Sequence, residues 1–557
     1  MKRQKLETLV NRPENEAQDL NAEYFADGYP KPEQFLEVLV EENPELAETY
    51  QIMLKLCEAF RAEGGQALLV GGSVRDYYFG LVPKDYDLEV YRIQPDRIKE
   101  ILAEFGTINE VGESFSVIKL ALPNGNDLDI SLPRVDNKVA AGHKGFETRA
   151  DPFMSVEEAA RRRDFTINSL AANPLTGEVY NYYGGLSDIW DRVLRVTDEE
   201  KFKEDPLRVL RGLQFISRMD LSIEPETREI MEGMAPELGD LPAERKREEW
   251  SKLLMKGTKP SAGLAAAKAL GILKMWHPDL DLLSAIPQEG EWHPEGDVWN
   301  HTLMSVDVAS EIKEAFGLTE AEKLNVMLAV LCHDLGKATT TEQVVKMTAA
   351  GEERPRIISH GHEEAGAEPT ERFLEQIGFS PNGDEAQKTI ILVTKHLAPT
   401  MMHLNSLDKD SPAAKKIDGS IRRLAKRIHP ATIKELVAVA TADHLGRGPF
   451  TEANGQILFN LYTAGQWLIE RAAVLGVEKS VPKRVLTGKD LLRLGFKPGE
   501  NVGAAMKLAD DLRDEKKFSG LQVIEAISQA KSEGINGSQD EAEAIAVLEK
   551  LLSETSI

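Results

Sequence analysis

Two aspartates one residue apart, Asp85 and Asp87, follow closely on a Gly71-Gly72-Ser73 turn. Leu68-Leu69-Val70 reads as a short buried strand running through the glycines into a helix start. The two glycines let the backbone approach a ligand, and Ser73 with the N–H groups after it can face an anion. The segment from Asp85 to Val90 alternates with period two and reads as a strand. Asp85 and Asp87 then share one face, and Tyr86 and Leu88 the other. Paired carboxylates repel unless a divalent cation lies between them, and hard oxygen ligands suit Mg²⁺. A phosphate-cradling turn beside such a pair is the equipment of two-metal phosphoryl or nucleotidyl transfer.

Three further groups could do chemistry. Arg161-Arg162-Arg163-Asp164 leads into Phe165-Thr166-Ile167-Asn168, read as a helix with Arg161, Asp164 and Asn168 on one side. Consecutive arginines are costly unless they meet anions. Glu204-Asp205-Pro206-Leu207-Arg208 opens another helix, with acids in its first turn and proline near its start. Asp205 and Arg208 share a face there, an acceptor beside a donor. C and A both present an exocyclic amine next to a ring nitrogen, so such a pair can read either base; a helix cap with an i,i+3 ion pair is the plainer alternative. Finally, histidine is scarce, 11 in all, and clusters between His277 and His444. Imidazoles with aspartate on helices make mononuclear or binuclear transition-metal sites.

The elements that must position these residues fall into several domains, since 557 residues exceed one core. Residues 1–62 read as a polar extension to about residue 33 and two helices, with Phe35, Val38 and Leu39 in the first and Tyr50, Met53, Leu56, Cys57 and Phe60 in the second. Gly64-Gly65 ends them. Residues 63–195 alternate strands and helices, including strands at Ser116–Leu122 and Asn126–Ile130; the latter puts Asp127 and Asp129 on one face. Residues 131–160 read as a long loop. Residues 196–287 read as wholly helical, 288–450 hold the histidines, and 451–557 return to helices. Basic groups such as Arg422, Lys426 and Arg427 are weighed as RNA contacts against solvated faces.

The bulk composition sets bounds. A net charge of −25 argues against generic nucleic-acid binding, so an RNA substrate needs a local basic track. Two cysteines cannot build a disulfide framework, and a reducing cytoplasm is the default. No apolar run reaches membrane-spanning length, and MKRQKLETLV lacks a signal-peptide core.

The "GGSVRD…KDYDLEV" stretch resembles the polymerase-beta nucleotidyltransferase superfamily, in the form found in class II tRNA nucleotidyltransferases (CCA-adding enzymes) and bacterial poly(A) polymerases. "RRRDFTINS" and "EDPLRVLRGLQF" resemble that family's nucleotide-binding and nucleotide-selecting motifs; Ser169 stands where the family usually has Ala. The resemblance implies a multidomain α+β protein: a small mixed-sheet head, then a mostly helical neck, HD and C-terminal domains. It implies Asp85, Asp87 and Asp129 as catalytic carboxylates, with Asp129 fitting the family position better than Asp127. Gly71, Gly72, Ser73 and Arg75 would meet phosphates, Arg161, Asp164 and Asn168 would seat the nucleotide, Asp205 and Arg208 would select it, and Arg211 would contact its triphosphate or base. The segment Glu244–Trp250 would brace the selecting helix. The loop matches one needed for adding the terminal A.

"WHPEGDVWNHT…CHDLGKATT…HGHEEAG" resembles the HD phosphohydrolase superfamily. This implies His301, His333, Asp334 and Asp443 as core ligands, with His362 and His396 as those of a two-metal version. The implied chemistry is metal-assisted hydrolysis of a phosphoester by Mn, Ni, Co or Fe. Partners would be a tRNA or other RNA 3′ end, CTP and ATP. CC-only, A-only or poly(A) addition, a mainly hydrolytic chain with an inactive head, and a non-catalytic RNA binder stay open, as does the oligomeric state.

Overall fold

The computed structural model describes residues 44–81, 85–110, 117–138, 146–347, 351–448 and 462–493, with 502, 503, 506, 507, 509, 510, 513 and 514. The first apolar stretch around Phe35, the centre of the 131–160 segment and the tail beyond 514 lie outside them. The chain divides into two compact units. One runs to Glu249 and takes back Ala266–Ile272; the other holds Trp250–Ala265 and everything from Leu273 onward.

In the first unit, α1 (Pro44–Ala62) buries Tyr50, Met53, Leu56, Cys57 and Phe60, the stripe expected of a helix with one core face. Gly64, at φ 78°, turns the chain out of it. Then come β1 (Gln66–Val70), α2 (Gly72–Tyr78), β2 (Asp87–Tyr91), β3 (Thr107–Glu110), β4 (Val117–Ala121) and β5 (Asp127–Ser131). A hairpin of β6 (Arg134–Lys138) and β7 (Phe146–Ala150) precedes α3 (Val156–Arg161), and β8 (Ala171–Ala172) and β9 (Val179–Tyr180) complete the head. Seven strands form one mixed sheet in the order β3-β4-β5-β2-β1-β8-β9. Central β1 carries fully buried Leu68 and Leu69, as an interior strand should. The β2–β5 pair is parallel, whereas β1 runs antiparallel to β2.

Four expectations are corrected here. The strand begins at Asp87, and Asp85 sits in the bend before it. The segment 131–160 contains the β6–β7 hairpin and α3 rather than a continuous loop. No α-helix covers 164–170; a single 3₁₀ turn spans Thr166–Asn168. The neck is not wholly helical, because Val193–Leu194 pairs in parallel with Ser222–Ile223. Its main helix, α4 (Leu207–Met219), buries a broad apolar face.

Among the described residues, the second unit is helical apart from one hairpin. Its centre is packed from α5 (Val298–Ile312), α6 (Glu320–Cys332), α8 (Asp384–Lys395) and α9 (Ile433–Leu445). The hairpin β10 (Glu342–Met347) and β11 (Glu353–Ile358) and the short α7 (His362–Ala365) lie between α6 and α8 in the chain. Capping boxes at Thr319/Glu322 and Thr432/Glu435 start α6 and α9, satisfying N–H groups that the first turn leaves open. Among the described residues, no helix is long and apolar enough to cross a membrane.

Candidate functional sites

In the head, register decides which carboxylates meet. Asp87 and Asp129 are Cα partners across the parallel β2–β5 pair. Asp127 pairs instead with Ala121, and its carboxylate reaches Lys119 at 3.4 Å. Burial pushes the Asp87 carboxyl up to about 6, and the negative charges of Asp85 and Asp129 add to the effect. A buried carboxyl flanked by two more carboxylates is a donor set whose crowding a hard divalent cation would relieve.

Gly71 enters α2 at φ 64°, a conformation that favours glycine. A Cβ there would come 3.1 Å from Arg163 Nη1, so the turn also lets an arginine close in. Ser73 is buried and donates to Val70 O at 3.2 Å. Arg75 is buried and spends its guanidinium on Asp76 (2.7 and 2.9 Å) and on Asn168 Oδ1 (2.5 Å). Asn168 Nδ2 donates to Asp164 Oδ1 at 2.9 Å, and Arg211 Nε donates to Asp164 Oδ2 at 2.7 Å. A continuous ladder Asp76–Arg75–Asn168–Asp164–Arg211 therefore ties α2, the 3₁₀ turn and α4 together. Phe215 lies under both Arg75 and Arg211, at 4.9 and 5.3 Å from its ring centre.

Two expected partners go elsewhere. Arg161 points outward to Asp198 at 2.7 Å, because it ends α3 rather than sharing a helix with Asp164. Arg163, not singled out from sequence, takes the inner position: it reaches Glu89 at 3.2 Å and Asn168 O at 3.4 Å. The Asp205 carboxylate caps Leu207 N at 3.1 Å and faces Arg245 at 2.8 Å, not Arg208. Arg208 donates to Lys201 O and Arg162 O at 3.0 and 2.7 Å. The 244–250 segment thus braces Asp205, two residues before α4, through Arg245. Of the basic groups considered for RNA, Arg422 and Lys426 face Asp514 at 3.7 and 3.4 Å.

The second unit gathers the histidines. His301 comes from α5, His333 and Asp334 from the end of α6, His362 from α7, His396 from the end of α8 and Asp443 from α9. All six are buried. Gly336 makes the approach of α7 feasible, since a Cβ there would fall 2.0 Å from His362 O. Donor atoms of His301, His333 and Asp443 lie within 4.8 Å of one another, as do those of Asp334, His362 and His396. Asp334 bridges the triads, Oδ2 being 3.3 Å from His333 Nε2 and Oδ1 3.4 Å from His362 Nε2.

The tautomers identify the group that belongs here. His333, His362 and His396 direct Nδ1 at the backbone carbonyls of Val330, Ser359 and Val393, at 2.7, 2.8 and 2.7 Å. Each Nδ1 therefore carries the proton, leaving an Nε2 lone pair turned inward. Yet His333 and His301 Nε2 are 3.2 Å apart, and His362 and His396 Nε2 are 3.3 Å apart. Facing lone pairs make sense around cations. Burial holds His396 down to about 3, with His333 adding to it, so the imidazole stays neutral and able to ligate. Burial opposes ionisation of Asp334 and Asp443, but His333 and Lys337 beside the first and Arg447 beside the second hold both well below the usual range. Lys337 sits 2.7 Å from Asp334 and Arg447 3.0 Å from Asp443. Neither cation was singled out from sequence, although Lys337 stands in the quoted "HDLGK".

A mixed-sheet head with opposed strand carboxylates, joined to a helical unit with a buried cluster of four histidines and two aspartates, defines a nucleotidyltransferase-type fold carrying an HD domain. Family models agree: "Poly A polymerase head domain" matches residues 67–195, "Probable RNA and SrmB- binding site of polymerase A" 220–283, and "HD domain" 298–448. A multifunctional CCA protein of Pasteurella multocida is 35% identical over 313 residues, 55% of this chain and 69% of the relative. One of Xylella fastidiosa is 32% identical over 411 residues, 72% of this chain and 89% of the relative. The Bacillus stearothermophilus CCA-adding enzyme in complex with CTP superposes at TM-score 0.55 and 20% identity, covering 87% of this chain and 99% of that one. The chain belongs to the class II CCA tRNA nucleotidyltransferase and bacterial poly(A) polymerase family, in the form that carries an HD domain.

Proposed function

We propose that this protein adds C and A from CTP and ATP to tRNA 3′ ends without a template, and that its HD domain is a metal-dependent phosphohydrolase. The observation that carries the first reading is the ladder from Asp76 to Arg211 beside the opposed Asp87 and Asp129. It gathers residues from three sequence motifs, two arginines held by two aspartates and an asparagine, into one wall next to a carboxylate set. The relatives named multifunctional CCA proteins and the solved CCA-adding enzymes with CTP, ATP and tRNA support it.

In this reading Asp85, Asp87 and Asp129 hold Mg²⁺, which would activate the RNA 3′-hydroxyl and offset triphosphate charge. The hydroxyl oxygen bonds to the α-phosphorus as the bond to pyrophosphate breaks. Gly71, Gly72, Ser73, Arg75 and Arg163 line the phosphate side. Asp164, Asn168 and Arg211 hold the nucleotide, and Asp205 and Arg208 read its base edge. At the HD centre, Mn, Ni, Co or Fe would supply Lewis acidity. Its ligands are His301, His333, Asp334, His362, His396 and Asp443. The domains are proposed as 63–195 (head), 196–287 (neck), 288–450 (HD) and 451–557 (C-terminal body), and the place of work as the cytoplasm, where tRNA and nucleotides meet.

The test is incorporation into tRNA transcripts ending before CCA, after C and after CC, with each NTP and Mg²⁺. Addition of C, C and A followed by a stop supports the proposal. A alone on the CC end would make it an A-adding enzyme, and a long A ladder on any RNA a poly(A) polymerase. For the HD domain, hydrolysis of a cyclic phosphodiester after loading with each transition metal is the measure. His333→Ala with Asp334→Ala should abolish it and leave incorporation intact.

A further inference from the structure

The four imidazoles of the HD centre are not held alike. Three turn Nδ1 to a backbone carbonyl. His301 turns Nδ1 toward a carboxylate, 2.8 Å from Glu295 Oε1, a close ion-pair contact rather than an aligned hydrogen bond. The same oxygen stands 2.8 Å from His293 Nδ1. Glu295 lies in the loop before α5, with its side chain only 2% exposed. Its Oε2 is buried without a hydrogen-bond partner among the described residues. A buried carboxylate with one oxygen unused works against folding, so its placement calls for another role.

Otherwise the two triads match. Each has two imidazoles and one carboxylate. Each carboxylate carries one cationic neighbour, Arg447 on Asp443 and Lys337 on Asp334. What distinguishes them is how close an anion stands behind the ring: Glu295 is 2.8 Å from His301 Nδ1, whereas Glu363 is 3.7 Å from His362 Nδ1. A carboxylate this close to Nδ1 favours the proton on that nitrogen and raises the donor strength of Nε2 more than a neutral carbonyl does.

We propose that Glu295, braced by His293, is a positioning residue that makes His301–His333–Asp443 the tighter of two cation sites, so that the HD centre fills in order. The inference rests on the reading of this centre as a metal site.

The test is a Co²⁺ titration of the metal-free full-length protein, followed by visible absorption, with Mg²⁺ saturating the head carboxylates. Wild type should show a tight step and a weaker one. Glu295→Gln should weaken the first step about 10- to 100-fold and leave the second unchanged, while the metal-free variant melts no lower than wild type. His293→Ala should weaken the first step less. Equal steps in wild type, an unchanged first step in Glu295→Gln, or loss of both steps with a lowered melting temperature would each overturn the assignment. The last result would reduce Glu295 to a folding role. A third Co²⁺ that disappears in the variant would make Glu295 a ligand in its own right and overturn it too. If wild type shows no imidazole-ligated Co²⁺ spectrum, the metal-site reading itself fails, and Glu295 with it.

Discussion

Asp129 faces Asp87 across two neighbouring parallel strands, and this pairing sets how the head responds to pH and metal. In the folded state burial raises the Asp87 carboxyl from 3.8 to about 6, helped by Asp85 and Asp129. A carboxyl whose folded value lies above its unfolded one favours folding most below 3.8 and progressively less up to about 6. Above that the penalty is constant. It amounts to about 2 kcal/mol once partial exposure is allowed for. Metal-free Asp87→Asn should therefore melt higher than wild type at pH 7.5. Mg²⁺ should raise the melting temperature of wild type and leave the variant's unchanged. Calorimetry showing a less stable variant would contradict the strained-carboxylate account.

The same carboxyl should shape the pH profile of catalysis. Below about 6 a proton competes with Mg²⁺ for Asp87, so the Mg²⁺ needed for half-maximal incorporation should rise roughly tenfold per pH unit. Added Mg²⁺ should recover the rate at pH 5.5. A rate that falls there whatever the Mg²⁺ concentration would point to another group.

Asp164 supports a different expectation. Burial opposes its ionisation, but Arg211, the Asn168 amide and Arg208 together outweigh burial and hold the carboxyl below its usual range. Asn in its place keeps the shape and leaves Arg211 without its counter-ion. Removing one partner of a buried pair costs roughly 3–5 kcal/mol. About 2 kcal/mol is expected here, since the Arg211 side chain is 36% exposed. A depressed carboxyl stabilises above its unfolded value and loses that effect as pH falls through the folded one. The gap between Asp164→Asn and wild type should thus be constant from pH 5 to 8 and close only in acid. CTP, whose triphosphate supplies the missing anion, should raise the variant's melting temperature more than wild type's. Equal CTP shifts would separate Asp164 from the nucleotide site.

The family resemblance carried by the motifs pointed to both centres: His301, His333, Asp334, His362, His396 and Asp443 gather in one place, and Asp87 and Asp129 stand opposite each other. What stayed hidden depends on contacts between distant segments. Asp85 and Asp87 follow strand periodicity, but the strand starts only at the second. Asp164 to Leu170 carries helix-like spacing, yet Phe165 bridges Val196. Thr166 O also lies where a Cβ on Gly185 would be, 2.2 Å away, so the backbone is drawn into a turn. The hairpin at 134–150 forms a sheet apart from the seven-stranded one, and so lacks the apolar alternation of a core strand. Glu295, Lys337 and Arg447 gained roles only once folding set them against the ligands.

Arg245 forks onto Asp205 at 2.8 and 3.4 Å, so under the proposed function base selection would rest on two segments rather than one helix. Asp205 can accept from the exocyclic amine of C or A only while its carboxylate is held. Arg208, tied to two carbonyls, keeps its own geometry without Asp205. Asp205→Ala should cut discrimination against U and G about 10- to 100-fold, the cost of one well-placed hydrogen bond to an otherwise buried edge. Arg245→Ala should relax it less, by letting the carboxylate turn, and should raise KM for CTP and ATP together. Residues acting as a unit are not additive, so the double variant should discriminate no worse than Asp205→Ala. Misincorporation of UTP by the four proteins of this cycle provides the readout. Full additivity, or a neutral Arg245→Ala, would return base reading to Asp205 and Arg208 alone.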